Sequence, residues 1–470
     1  MRSACEPDDP AECETAPALQ PKHPASEPAG SEPPRIEPAG IEPAGIEPSG
    51  IEPSGTEPVE LPPSRRSLRG LDWFIFFVAD VQTGFGPFVS VYLTGQRWTQ
   101  VDIGLVLSAA GLVSLLGQMP GGALVDAVKS ERFVAGCAIV AICISALTYA
   151  ALPIFPMVLA GSVMHAAASC VLGPAMAAIS LGLVGPAAIG ARLGRNARFA
   201  SVGNGLAAAA MGACGYLLSA RAVFIVTVLL LVPALLALRE ISNSEIDAER
   251  AHGAKPRRPS IKPPITLGKL MQNKPLLIFA GCLLLFHLAN AAMLPLVGSV
   301  VTMHSSQWAT LIIAACIVVP QILVAALSPW VGTKAQIWGR RPLLLIGFAS
   351  LPIRGFLFAL GTDPTFLLGV QIFDGITAAV FAVMVPLVVA DLTRGTGRFN
   401  LGQGILGTAT GIGASLSTTL GGYMTDYFGS AAAFAALATI GAAGFALVAL
   451  AMPETRPPER EDEEEVEEKA

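Results

Sequence analysis

Gly122-Ala-Leu-Val-Asp126-Ala-Val-Lys129-Ser-Glu-Arg132 is a short charged interruption between two long apolar runs, 101–125 and 132–152. A helix needs about 20 residues to cross the hydrocarbon core of a bilayer, and each run supplies them. The same alternation recurs along the chain. Apolar spans fall at 71–93, 101–125, 132–152, 155–184, 199–218, 220–238, 275–302, 307–331, 342–361, 365–390, 400–423 and 429–452. Of the 470 residues, 53% are apolar and 14% charged, with a mean hydropathy of +0.60. Soluble domains carry roughly 25% charge, so this composition points to an all-α integral membrane protein of twelve transmembrane helices.

Charge divides the chain further. Residues 1–64 carry net charge −10 and residues 453–470 net −6, which leaves +11 for the body between them. The first tail repeats Ile-Glu-Pro-Ala-Gly and Ile-Glu-Pro-Ser-Gly over 36–55. Pro and Gly every five residues forbid a helix and leave no face to bury, so both acidic tails are expected to be disordered. The domain reading is 1–64 tail, 65–238 N-terminal six-helix half, 239–274 central loop, 275–452 C-terminal six-helix half and 453–470 tail. With the N-terminus inside, the short cytoplasmic loops hold ten Lys or Arg and the outer loops only Arg97 and Arg221. That bias fits the positive-inside rule, places both termini in the cytoplasm and implies a cell-membrane location. A net charge of −5 with no basic domain argues against nucleic acid as partner. Six of the eight Cys sit singly in apolar stretches, without metal-ligand spacing.

The halves echo one another. Arg198-Phe199 precedes Gly203, Gly205 and Gly212, and Arg398-Phe399 precedes Gly402, Gly404 and Gly411. The interruption at 122–132 has a counterpart in Gly332-Thr-Lys-Ala-Gln336-Ile-Trp-Gly339-Arg340-Arg341. Over residues 70–452 the chain resembles the major facilitator superfamily of secondary transporters. The hallmark of that family after the second helix of a half is Gly-x-x-x-Asp-(Arg)-x-Gly-Arg-Arg/Lys. The first copy here has Lys129 in place of the second Gly, and the second copy has Gln336 in place of Asp. The resemblance implies alternating access between two six-helix halves around a midplane site. It also implies a conformational latch drawn from Gly122, Asp126, Arg132, Gly339, Arg340 and Arg341. In that latch Asp126 meets the positive N-terminus of the eleventh helix near Asn400; the competing reading is that these basic residues only set topology. The stretch Gly161-Ser-Val-Met-His165 lacks the Arg of the family's drug–proton antiporters, and the fifth helix lacks their Gly-Pro kink.

Ionisable groups inside the hydrocarbon cost at least ~2.5–3.5 kcal/mol on insertion scales and are functional candidates by default. Asp80 lies nine residues into the first helix, about 14 Å deep at 1.5 Å per residue. Arg354 and Asp374 fall at similar depth, about 10 and 14 Å, on consecutive antiparallel helices. These three are the candidate proton-coupling residues, with a structural ion pair as the alternative for the last two. Gln82, His165, His287, Asn290, Gln321 and Gln371 are candidates for the substrate cavity. Asp391 ends the tenth helix and reads as interfacial.

No phosphate-binding loop, nucleophile–base pair or metal cluster is legible, so the expectation is a non-enzymatic, cofactor-free carrier, monomeric in the bilayer. Its partners would be protons and a small-molecule substrate. Three functions stay open: proton-driven export of a small organic solute, proton-coupled uptake of a metabolite or organic anion, and a transport-inactive sensor acting through its tails. Transport that survives deletion of residues 1–64 would exclude the sensor. The topology itself is testable with reporter fusions. One placed after Leu238 should read cytoplasmic and one at Ser305 external, and the reverse at either site would overturn the helix count.

Overall fold

The computed structural model describes residues 63–83, 89, 92–93, 95–217, 219–253, 266–304 and 309–457. The pentapeptide repeat and the acidic run after 457 lie outside these residues. Twelve long helices run through them. They are α1 (Arg65–Thr83), α2 (Gln100–Ala127), α3 (Glu131–Ala151), α4 and α5 (together Phe155–Leu217) and α6 (Ala220–Glu240). The second six are α7 (Lys274–Asn290, resuming as Met293–His304), α8 (Ala309–Trp338), α9 (Arg341–Leu360), α10 (Pro364–Leu392), α11 (Phe399–Phe428) and α12 (Ser430–Ala451). Among the described residues nine stretches are long and apolar enough to cross a membrane, one of them being α4 and α5 together. The remaining two are α1, which opens with Arg65, Arg66, Arg69 and Asp72, and α11, diluted by Gly, Ser and Thr.

The helix starts follow from local chemistry. Thr99, Ser130, Asn273 and Asp363 each accept a hydrogen bond from a backbone N–H three residues on, at 2.9–3.3 Å, a cap worth about 1 kcal/mol. Gly429, at φ 83°, ends α11 and opens α12 in a conformation closed to most residues. Several helix ends differ from the sequence reading by five to seven residues, among them the start of α1 and the ends of α8 and α11, and two segments differ in kind. Residues 185–198 were expected to form a loop, but helix resumes at once after Gly185 (φ 69°). Pro186 at the first position of α5 needs no N–H there, and the arginines that look like loop residues lie on the helix. The seventh span is also interrupted, at 291–292. Pro295 cannot donate to the carbonyl one turn back, and the Ala292 N–H donates to Ser417 Oγ of α11 at 2.9 Å.

Glycines bring the two halves into backbone contact along two seams. On the first, a Cβ on Gly122 or Gly404 would overlap the carbonyl of Asn400 or Gln118, which joins α2 to α11. On the second, a Cβ on Gly332 or Gly194 would overlap the carbonyl of Gly190 or Ser328, which joins α8 to α5. Positions 118, 122, 190 and 194 map onto 328, 332, 400 and 404 by one shift of 210 residues. The internal repeat is therefore real, but the pairing of Arg198-Phe199 with Arg398-Phe399 is ten residues out of register.

Asp72 fixes α1 to α5 within the first half. Its carboxylate accepts from Arg192 Nη2 at 2.6 Å and from Arg195 Nη2 at 2.6 Å. Asp72 and Arg192 have side-chain exposures of 3% and 4%. Breaking a buried pair of this kind costs about 3–5 kcal/mol because it strands the other charge. Asp72→Asn should therefore lower the unfolding midpoint in detergent sharply, whereas Glu240→Gln, which breaks an exposed pair with Arg66, should leave it nearly unchanged.

Candidate functional site

Asp126, one turn beyond Gly122 on α2, faces the first turn of α11. Its Oδ1 accepts from the Asn400 backbone N–H at 3.1 Å and from Asn400 Nδ2 at 2.9 Å, and its Oδ2 from the Leu401 N–H at 2.8 Å. A carboxylate on unpaired amides at a helix N-terminus gains both hydrogen bonds and the helix dipole. The connection between the halves adds to this closure. Its short helix Ala248–Ala251 sits beside α4 and α11: Asp247 N–H donates to the Gly182 carbonyl at 3.2 Å. The carbonyls of His252 and Gly253 accept from Phe399 at 3.1 Å and Gly395 at 2.6 Å. His252 Nε2 lies 3.0 Å from Oε1 of the buried Glu131. These groups all lie on the face where the loop arginines cluster, called here the basic face.

The other residues of the expected latch sit elsewhere. Arg132 turns away from α11 and donates to the Ile241 carbonyl beyond α6. Arg340 is fully buried, paired with Asp391 at 2.8 Å and bonded to the Ala335 carbonyl at 2.6 Å. Gly339 (φ 88°) and the backbone N–H groups of Arg340 and Arg341 surround the Glu454 carboxylate. Burial raises the Glu454 pKa, but four backbone N–H donors outweigh that and hold it below the ordinary range. Gln336 occupies the place of Asp126 on the second seam. It stands beside Gly190 and accepts from Arg340 Nη1 at 3.3 Å.

Within the second half, Arg354 of α9 is buried and meets Asp374 of α10 and Asn290 of α7. Met293 Sδ at 3.4 Å and the Phe358 ring at 5.9 Å complete its surroundings. The Arg354–Asp374 pairing expected from helix depth is present. Asn290 belongs to this cluster, while the His287 ring packs against Phe286. Asp374 keeps 30% of its side chain accessible while Arg354 keeps 5%. Asp80 and Gln82 lie on α1, but their side chains fall outside the described residues.

A cavity of about 420 Å³ lies between the halves, walled by α1, α2, α4, α5, α10 and α11. Its polar lining is Gln118, Asn196, Gln403 and Thr410, set among apolar groups such as Ile75, Met176 and Leu406. Among the described residues, no Lys, Arg, Asp or Glu lines it. His165, His287, Asn290, Gln321 and Gln371 are absent from this wall. Gln371 is buried in α10, and His165 and Gln321 are half-buried in α4 and α8. Asn196, which also donates to Ser180 Oγ at 2.8 Å, was hidden from sequence reading by the assumed loop at 185–198.

Two halves joined by glycine seams, with a carboxylate clasp at one end and a cavity between them, have the architecture of a membrane transporter. The chain belongs to the Major Facilitator Superfamily, whose family model matches residues 72–351 and 315–470. It is 41% identical over 403 residues to the uncharacterized MFS-type transporter Rv2456c of Mycobacterium tuberculosis, covering 84% of this chain and 95% of that one. It is 29% identical over 164 residues to multidrug resistance protein 1 of Bacillus subtilis, covering 34% of this chain and 40% of that one. Among solved structures it resembles the human organic anion transporter MFSD10, with a TM-score of 0.60 at 16% identity, covering 83% of this chain and 100% of that one. It also resembles FucP in the outward conformation, with a TM-score of 0.60 at 15% identity, covering 82% and 97%.

The clasp carries a titratable group. Burial pulls the His252 pKa down, but the hydrogen bond and charge of Glu131, the charge of Asp126 and the Val125 carbonyl outweigh it and raise the pKa above 6.5. The docked connection thus binds a proton more tightly than an undocked one. Its contribution is complete below about pH 6.5, the ordinary histidine value, and is lost as pH rises through the raised value. Spin labels at the exposed positions Lys129 and Arg394 should report a growing separated population as pH rises above 6.5. His252→Gln should flatten that dependence. An unchanged profile in His252→Gln would mean that the connection docks independently of protonation.

Proposed function

We propose that the protein is a secondary active transporter that exports a small organic solute in exchange for protons, with the basic face cytoplasmic. The observation that carries this reading is the cavity between the halves. It abuts the α2–α11 seam that the Asp126 clasp closes, and its wall is apolar with a few neutral amides. Such a wall suits an amphipathic, weakly polar solute. The partial likeness to a bacterial multidrug resistance protein supports export. Uptake of an organic anion has less support, because Arg354 is engaged by Asp374 and Asn290 and stands off the cavity wall.

Proton coupling needs an acid that gains and loses a proton as the cavity alternates. Asp374 keeps part of its side chain accessible beside a fixed cation, and Asp80 sits about 14 Å along α1 from its predicted start at 71. In proteoliposomes with an imposed pH gradient, Asp80→Asn should abolish uphill transport and spare downhill exchange, since the neutral side chain mimics the protonated state. Asp374→Asn should instead strand Arg354 and cost about 3–5 kcal/mol of stability. Wild-type accumulation by Asp80→Asn would move the proton site to Asp374. Transport in the opposite direction across a library of anionic, neutral and cationic solutes would replace export by uptake.

A further inference from the structure

Arg132 and Arg239 are shared by two adjoining cavities on the outer flank of the first half. One, of about 530 Å³, is an apolar groove between α3 and α6, floored by Met164 of α4 and lined along α3 from Phe133 through Gly136 to Ile144. Phe133 and Ile144 are 72% and 50% exposed, so the groove opens sideways towards lipid. Gly136 keeps it open: a Cβ there would already touch Leu238 at 3.4 Å. From Gly136 to Ile144 the groove runs about 12 Å along the helix, from interfacial depth into the hydrocarbon.

The other cavity, of about 680 Å³, caps the groove at the basic face. Its walls carry Arg66, Arg132 and Arg239 with Glu240 and Glu245, among serine hydroxyls. Arg66 is bonded to Glu240, and Glu245 accepts the Ser64 N–H at 2.8 Å. Three cations face two carboxylates, a surplus of one positive charge; with Arg66 bonded to Glu240, that surplus falls where the two cavities meet, at Arg239 and at Arg132, which also donates to the Ile241 carbonyl. A topology determinant needs only a charge in a loop. Two arginines at the mouth of an apolar groove are more than that need requires, and basic pockets between membrane helices suit anionic headgroups.

We propose that this double cavity binds one anionic glycerophospholipid of the leaflet at the basic face. Its phosphate diester lies between Arg132 and Arg239, and one acyl chain fills the α3–α6 groove. The charge of the mouth and the apolar character of the groove match the two ends of that molecule, and the bilayer presents it at this depth.

The test is native mass spectrometry of the full chain, delipidated and then offered phosphatidylglycerol and phosphatidylethanolamine with matched acyl chains. The wild type should retain one phosphatidylglycerol in preference to phosphatidylethanolamine. Arg239→Gln, at an exposed position that folding does not require, should lower that retention at least tenfold, as should Arg132→Gln. Gly136→Leu, which fills the groove and leaves both arginines, should lower retention of either lipid. Arg221→Gln, at the other end of α6, should change nothing. Equal retention of both lipids by the wild type would overturn the anionic assignment. A loss in Arg221→Gln as large as in Arg239→Gln would reduce the binding to a non-specific annulus. No retained lipid would mean that the groove is covered by another part of the chain, and would overturn the site.

Discussion

A carboxylate can reach the first amides of another helix only if the two backbones nearly touch, and that constraint governs the interface between the halves. Gly122 removes the side chain that would hold α2 away from α11, and Asp126 one turn later then meets the Asn400 and Leu401 amides. The glycine sets the distance and the acid supplies the attraction, so neither has its effect without the other. A charge at a helix terminus is worth about 0.3–2 kcal/mol, or up to roughly thirtyfold in a population. That magnitude suits a contact that can form and break reversibly, as a buried ion pair would not.

The second seam repeats the backbone geometry without the charge. Gly332 meets α5 as Gly122 meets α11, but Gln336 stands where Asp126 does and spends its carbonyl on Arg340. The docked connection thickens the difference, since His252 and Gly253 bind α11 on the first seam. Two seams alike in packing and unlike in electrostatics give the protein a stronger and a weaker side to its closure.

Sequence reading found what depends on chain-long regularities. Span length, the arginine bias and the paired motifs led to twelve helices, and depth arithmetic on antiparallel neighbours brought Arg354 to Asp374. It failed where rotation of a helix about its axis decides. Lipid and protein core are equally apolar, so no hydrophobic contrast marks which face of a membrane helix turns inward. Gln118 and Gln403 reach the cavity while Gln371 is buried within α10, and nothing in their spacing separates them. Asp72 was missed for a different reason. It reads as an interfacial residue at the start of a span, although Arg192 and Arg195, three apart on one helical face, call for a counter-charge. The Gly185-Pro186 pair was the legible sign that they lie on a helix.

The division of polar contacts then says how the molecule can move. The ion pairs of Asp72 with Arg192 and Arg195, of Arg340 with Asp391, and of Arg354 with Asp374 each tie helices within one half. Between halves the contacts are of a weaker kind: Asp126 on backbone amides, and Arg198 Nε on the Ala325 carbonyl at 2.9 Å. A carboxylate on the amides of a helix end exchanges them for water once the seam opens, whereas separating a buried pair leaves two ions stranded. Each half is thus internally cemented while the seam between them can open. Rigid-body rocking of one half against the other is the motion this distribution of charge permits, and a mechanism that reshaped either half would have to break the contacts that cost most.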